Sequence, residues 1–258
     1  MRENRTVLMI GDVIGDAGIL AVAEALPRLI RETGADLVVA NGENAAGGFG
    51  LVRENADALF AAGVDVITSG NHIWEKKGAE ELLAGDDRIL RPANYPSMAP
   101  GKGFCELEKG GARWAVLNLQ GREGMSPIDS PFARADEILQ GLSPGMIVVV
   151  DFHAESFQEK EALALYLDGR VSAFAGTHTH VQTADERILP GGTGYIGDLG
   201  MSGPVDSIIG VKADVCLRRN VSQMPLKMEV ADGPSRVSGA LFEIGDDGRC
   251  LKASRILS

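Results

Sequence analysis

The chain has 258 residues, 45% of them hydrophobic and 24% charged, with a formal net charge of −11, a balance that fits a globular protein long enough to bury a sizeable core. No apolar run reaches the ~18–20 residues of a membrane span, and the apolar stretch before Gly11 is too short for a signal peptide, so a cytoplasmic protein without a membrane partner is expected. The acidic balance disfavours a broad RNA- or DNA-binding groove, which relies on Lys and Arg. Cys105, Cys216 and Cys250 form no CxxC pair and read as buried free thiols.

In chain order, Thr6–Ile10 reads as a buried strand, followed by a loop and a helix over "ILAVAEALPRLIRETG" with Pro27 kinking it. Ala35–Ala40 is the next strand, "RENADALFAAG" the next helix with Gly63 beyond its C-terminus, and Val64–Thr68 a third strand. Short connections and continuous apolar strands indicate sheet covered by helices. The middle changes character: "GFCELEKGGARWAVLNLQG" predicts an antiparallel hairpin turning at Gly110-Gly111. A helix over "PFARADEILQGL", a strand over Met146–Val150, a helix over "EKEALALYLDG" and a short strand in "VSAFAGTHTH" follow. "GDLGMSGPVDSIIG" has the Gly and Pro content of a loop, and Lys212–Asn220 reads as a short helix whose apolar face would suit a homo-oligomer contact. "PLKMEVA", "SRVSGALFEIG" and "CLKASRIL" read as antiparallel strands. A single α/β domain over residues 1–258, with two sheets, fits this order better than one doubly wound sheet.

The polar residues gather where the strands end. Asp12 follows the first strand, Glu43 and Asn44 the second, Asn71 and His72 the third, His153 the fourth, and His178 and His180 the fifth. Ligands of α/β folds collect outside the carboxyl ends of strands, so these loops can converge. Taken singly, each has a plain structural reading: Asp12 as a helix cap, Glu43 as a solvated carboxylate, Asn44 and Asn71 as turn residues, His153 as a core histidine, and His178 and His180 as solvent-facing residues at a strand end. "GDVIGDAG" lacks GxGxxG spacing and is a poor dinucleotide turn. Taken together, all four histidines of the chain fall in this set, and a metal site explains that better than chance. Carboxylate, amide oxygen and imidazole without thiolate suit iron, manganese, zinc or cobalt, and are too rich in nitrogen for calcium. In an extended segment His178 and His180 point the same way and could serve two adjacent ions bridged by a carboxylate, with room for a bridging water.

The order Asp12, Glu43, "GNH" at 70–72, His153 and "GTHTH" at 176–180 resembles the calcineurin-like metallophosphoesterases. "IGDVIGDAG", "NGENAAGGFG", "GNHIWEKK", "LRPANYP", "NLQGR", "VDFHAE" and "GTHTHVQTADERILPGGTGYIGDLGMSGP" are similar to the YmdB-like branch of that superfamily. The resemblance implies a two-sheet β-sandwich flanked by helices. It implies that Asp12, Glu43, Asn44 and His180 hold one ion and Glu43, Asn71, His153 and His178 the other, with Glu43 bridging. It further implies iron, with manganese or zinc as alternatives, and hydrolysis of 2′,3′-cyclic nucleotides or related phosphodiesters by a metal-bridging hydroxide. His72 takes the general-acid position and Asn44 or Asn71 helps to stabilise developing charge. Against the wider superfamily pattern, Ile14 stands where a ligand histidine is usual and Glu43 where an Asp is usual. Ile73 follows His72 in place of an acid, which leaves His72 without an adjacent carboxylate. A phosphomonoesterase or nucleotidase, and a regulatory RNA- or protein-binding module that keeps the metal site, are the competing readings. Arg91 and Arg122 are secondary candidates for phosphate contact, and Asp198 for orienting a ligand histidine.

Overall fold

The computed structural model describes residues 4–258. The chain runs through β1 (Arg5–Ile10), β2 (Asp12–Val13), α1 (Gly15–Thr33), β3 (Leu37–Asn41), α2 (Arg53–Ala62), β4 (Val66–Thr68) and α3 (Ala79–Gly85). It continues through β5 (Phe104–Lys109), β6 (Ala112–Gln120), α4 (Pro131–Gly141), β7 (Ile147–His153), α5 (Phe157–Leu167) and β8 (Ala173–Thr177). The last part holds β9 (Arg187–Ile188), β10 (Gly194–Ile196), β11 (Met201–Pro204), α6 (Ala213–Ser222), β12 (Ser235–Arg236), β13 (Ser238–Ile244) and β14 (Cys250–Leu257).

Two large sheets form, ordered β14-β13-β1-β3-β4 and β5-β6-β7-β8-β10-β9. β1, β3 and β4 run parallel, as do β6, β7, β8 and β10; antiparallel β13 and β14 extend the first sheet beyond β1, and antiparallel β5 and β9 close the two edges of the second. Strand alternation divides the apolar residues between two faces. Val7, Met9, Leu37 and Val39 of the first sheet meet Trp114, Val116, Val149 and Ala175 of the second in the core between the sheets. On the outer face of the first sheet, Leu8, Ile10, Val38 and Ile67 pack against Val22 and Leu26 of α1 and Leu59 of α2. On the outer face of the second, Leu117, Val150, Phe152 and Phe174 pack against Ile138 of α4 and Leu163 of α5. Central strands covered on both faces have no polar side to keep, which is why they read as unbroken apolar runs. The α/β two-sheet expectation is borne out.

Several local expectations hold for identifiable reasons. The β5–β6 hairpin turns on Gly110 (φ +61°) and Gly111 (φ +76°), the two left-handed positions that a tight primed turn requires. Gly34 and Gly63 end α1 and α2 in left-handed conformations, each donating its N–H to a carbonyl of the last turn. All three cysteines are free and buried, and burial pushes the Cys105 thiol up to about 12 and the Cys250 thiol to about 11.

Pro27 lies inside α1, which continues through it to Thr33. Three details differ. Asp12–Val13 and Met201–Pro204 are not loop but the parallel strands β2 and β11 of a small third sheet with β12. "PLKMEVA" does not form a strand: it makes only an isolated antiparallel bridge, Val230 with Val211, through Lys212 N–H donating to Glu229 O (2.9 Å) and Ala231 N–H to Gly210 O (2.9 Å). α3 carries Leu82 and Leu83 into the core on a segment too short to show a helical period. α6 forms as expected and leaves Leu217 and Val221 exposed.

Candidate metal centre

The expected residues come together at one rim where both sheets end. Glu43 lies just past β3, fully buried. Its Oε1 is 3.0 Å from His153 Nε2 and accepts from Asn44 Nδ2 (3.2 Å), while Oε2 accepts the backbone N–H of His72 (3.0 Å). One carboxylate oxygen thus faces two groups of donors. On one side, His153 Nε2 also stands 3.0 Å from His178 Nδ1 and 3.2 Å from Asn71 Oδ1. Donor atoms of Glu43, His153 and His178 all lie within 4.8 Å of one another, the spacing of ligands to one ion. On the other side, Asn44 Nδ2 is 3.2 Å from His180 Nε2 and 3.4 Å from Asp12 Oδ1, and His180 Nε2 is 3.8 Å from the same Asp12 oxygen.

Outer hydrogen bonds fix what each imidazole presents inward. Thr177 Oγ1 spends its proton on Asp151 Oδ1 (2.7 Å), so at His153 it accepts from Nδ1–H (3.0 Å). His178 Nε2–H faces Glu155 Oε2 (3.1 Å), and His180 Nδ1–H donates to Ile209 O (2.9 Å). The three inner nitrogens, His153 Nε2, His178 Nδ1 and His180 Nε2, are therefore left as lone-pair donors facing two carboxylates and two amides. This is the tautomer control that metal-binding histidines receive from their outer partners. Buried lone pairs brought this close need a positive charge between them. Burial alone depresses the His153 imidazolium, yet Glu43, Asp12 and Asp151 raise it to about 9. Burial likewise opposes the Glu43 carboxylate, but His153 and the His72 N–H hold it down at about 2. Burial and the neighbouring His153 charge push His178 down to about 3. A proton on His153 serves in place of a cation, and the donor set fits one.

The backbone makes room for this crowding. A Cβ on Gly70 would lie 2.0 Å from His153 Cδ2, so the glycine before Asn71 is what lets His153 reach it. His178 and His180 have φ of +100° and +64°, so the segment is a turn rather than the expected extended pair. The turn is what sends the two imidazoles to opposite sides of Glu43. Asp198 does not touch either ring. Its Oδ2 accepts from Thr179 N–H (3.1 Å), Thr179 Oγ1 (2.8 Å) and the buried Lys160 Nζ (2.7 Å), clamping the residue between the histidines. His153 itself is the last residue of β7 rather than a loop residue.

A family model for YmdB-like proteins matches residues 8–256. The chain belongs to the YmdB-like family. It shares 43% identity over 97% of its length, and 96% of the relative's, with the 2′,3′-cyclic-nucleotide 2′-phosphodiesterase of Bacillus subtilis. A hypothetical protein of Thermus thermophilus has the same fold, with TM-score 0.93, 43% identity and 98% of each chain covered. A phosphatase of Mycoplasma pneumoniae matches with TM-score 0.94 and 32% identity over 100% of this chain and 94% of its own.

Several surroundings of this YmdB-like site lay beyond the sequence reading. Asp151, Thr177, Asn41 and Thr68 form a buried network behind His153: Asp151 Oδ2 accepts from Asn41 Nδ2 (3.1 Å) and from Thr68 Oγ1. Burial raises the Asp151 carboxyl to about 6 against the pull of Thr68, His153 and Thr177. An Asp two residues before a His, inside the apolar run "IVVVDFH", was the available signal, because i and i+2 share a strand face. His72 does have a carboxylate nearby, Glu75 Oε1 at 3.5 Å from Nδ1, supplied three residues on rather than one. Ile14 is buried against Gly203 and Gly210, leaving Asn44 beside Asp12 and His180. Arg91 is not a phosphate contact: its guanidinium is used up on the carbonyls of Pro92, Ala99 and Pro100. Arg122 lines a separate cleft beside Phe132 and Glu159. The candidate centre opens into a cavity of about 390 Å³ lined by Glu43, Asn44, His72, His178 and His180 together with apolar residues and the charged Glu155, Arg219 and Glu229. A larger cleft of about 670 Å³, among loop glycines and Arg113, Arg170 and Arg249, contains none of these donors.

Proposed function

We propose that the protein is a dinuclear metal-dependent phosphodiesterase acting on 2′,3′-cyclic nucleotides or closely related small phosphodiesters. The observation that carries this reading is the outward tethering of three histidines, which leaves their lone pairs turned toward Glu43 beside an open cavity. The Bacillus subtilis relative, matched along nearly its whole length, carries the corresponding activity in its name.

Asp12, Asn44 and His180 would hold one ion and Asn71, His153 and His178 the other, with Glu43 shared. Iron is the metal we assign first, with manganese or zinc as substitutes of similar ligand preference. Two cations would supply Lewis-acid polarisation of a phosphoryl oxygen and a lowered pKa for water at the site. The chain's own part is positioning. His72 keeps its N–H on Glu43 Oε2 and its ring on the cavity wall, edge-on to Phe49 with ring centroids 5.0 Å apart. With Nδ1 on the Glu75 side, Nε2 is the atom from which a proton passes to the departing ribose oxygen. An alkoxide is a poor leaving group, and a positioned proton donor is the remedy. In the metal-free site Asn44 Nδ2 faces Asp12, Glu43 and His180; with Oδ1 turned to the ion instead, its N–H would be free to donate to charge developing on phosphorus-bound oxygen.

The deciding experiment is metal analysis of protein purified without added metal, followed by rates on 2′,3′- and 3′,5′-cyclic nucleotides and on matched nucleoside monophosphates. Two equivalents of metal and preferred turnover of the 2′,3′-cyclic diester are expected, both lost in Glu43→Gln. Preferred turnover of the monoesters would overturn the diesterase assignment in favour of a phosphatase.

A further inference from the structure

The cavity beside the metal centre has two unlike halves. One is the polar floor of candidate ligands. The other is an apolar wall of Ile209, Val211, Met228 and Val230, flanked by Arg219 and Glu229, and none of these four apolar side chains is used by the chemistry above. Exposed apolar surface beside a polar site is the usual mark of a place that binds the unreactive part of a ligand.

This wall is built to a fixed position relative to the donors. Ile209 has φ +50°, a conformation β-branched residues rarely adopt, and its side chain stays 46% exposed. The strain is maintained because the Ile209 carbonyl accepts from His180 Nδ1–H, so the residue that orients a candidate ligand also presents its branched apolar side chain to the cavity. Val230 sits over two glycines with positive φ, its methyl carbons 3.2 Å from where a Cβ of Gly15 would lie and 3.0 Å from that of Gly48. Gly15 opens α1 three residues after Asp12, and Gly48 lies in the turn that carries Glu43 and Asn44. Backbone hydrogen bonds from Lys212 N–H to Glu229 O and from Ala231 N–H to Gly210 O tie the Met228–Val230 segment to the Ile209–Val211 segment. The wall is thus referenced to both halves of the metal centre. Of the apolar residues in "PLKMEVA", Met228 and Val230 line the cavity, while Ala231 is buried.

We propose that this wall, Met228 included, is the nucleobase subsite, and that it makes the enzyme select nucleoside cyclic phosphates over base-free cyclic phosphates. The inference rests on the phosphodiesterase reading and names what that site recognises beyond the phosphate. A nucleobase is the occupant that fits. It is flat and apolar on its faces, and it is joined through the ribose to the reacting phosphate at the distance of a neighbouring wall. The phosphoryl group goes to the polar floor and the base to the apolar half, the division of labour by which small-molecule sites fix orientation.

The test compares 2′,3′-cyclic AMP with glycerol 1,2-cyclic phosphate, which has the same five-membered cyclic diester and no base. In the metal-loaded wild type, kcat/KM is expected to favour the nucleotide. Met228 is partly exposed on an irregular segment, so Met228→Ala should leave the fold and metal content intact. It should lower kcat/KM for the nucleotide about tenfold, mainly through KM, in line with the loss of apolar contacts in a pocket. Turnover of the glycerol diester should change less than twofold. Calorimetric titration of the metal-loaded protein with 3′-AMP and with glycerol 3-phosphate should show the same selective loss in the variant. Equal kcat/KM on both diesters in the wild type, or a parallel fall on both in Met228→Ala, would overturn the subsite. Hydrolysis of neither diester would instead bring down the phosphodiesterase reading, and the subsite with it.

Discussion

His72 and Glu43 are joined by one hydrogen bond, backbone N–H to carboxylate, yet the site gives them separable tasks. The His72 ring contributes no donor atom to either ligand group, so His72→Ala should retain metal while turnover on a cyclic diester falls by roughly 10²–10⁴-fold. The check is metal content alongside single-turnover rates; full activity in the variant would reject the acid role. His153 gives a prediction of a different kind. In the metal-free protein its pKa of about 9 lies above the ordinary 6.5, so its proton is present at pH 7. The stability that proton contributes is complete below 6.5 and is lost as pH rises through 9. Metal needs the bare Nε2, so loading at pH 7 must expel this proton, and affinity should climb by up to tenfold per pH unit until it levels near pH 9. His178, held down at about 3, adds no proton of its own. Calorimetry in buffers of different ionisation heat should find the protons released on loading falling by about one between pH 7 and pH 10.

At the scale of elements, what each strand ends in was legible and how the ends were held was not. Asp12, Glu43, Asn71, His153 and His178 were readable because a polar residue after an apolar run is conspicuous. The β2–β11 pairing was missed because two residues carry no period, and the partners are nearly 190 positions apart. Lys160 and Asp198 were not recognisable as a pair, because nothing local marks a helix lysine as the partner of a carboxylate beyond β10. Their role is mechanical: Lys160 neutralises Asp198, and Asp198 holds Thr179 between two histidines in left-handed conformations. Lys160→Met leaves a buried carboxylate short of its counter-charge, which costs about 3–5 kcal/mol in comparable pairs. Loss of a direct partner of a metal ligand typically weakens metal binding by about 10–100-fold; this pair acts one step removed, through Thr179, so a weakening at or below the low end of that range is expected. A chelator competition on folded Lys160→Met protein should show that weakening, and an unchanged affinity would reduce the pair to a packing feature.

For the whole molecule, the arrangement of layers matters because the donors are divided between them. Glu43, Asn44 and Asn71 follow strands of the first sheet, His153 and the His178–His180 turn belong to the second, and Asp12 lies on the small third sheet. The apolar residues alone already hold the two large sheets face to face, which explains why composition and periodicity sufficed to indicate two sheets flanked by helices. At the rim the balance reverses, since two buried carboxylates and three inward imidazoles crowd together and are neutralised only in part by protonation. Bound cations would therefore act as staples between sheets as well as chemical agents. A ligand that binds only the folded state adds about 2.7 kcal/mol at a free concentration 100 times its Kd, and for a domain of this size that corresponds to roughly 5–10 °C in Tm for each site. Thermal unfolding followed by calorimetry should show that rise on loading and its reversal by chelator. Glu43→Gln, lacking the shared carboxylate, should melt at one temperature with or without metal. A wild-type Tm indifferent to metal would mean that the donors from the two sheets do not close on common ions, and the shared-carboxylate arrangement would have to be abandoned.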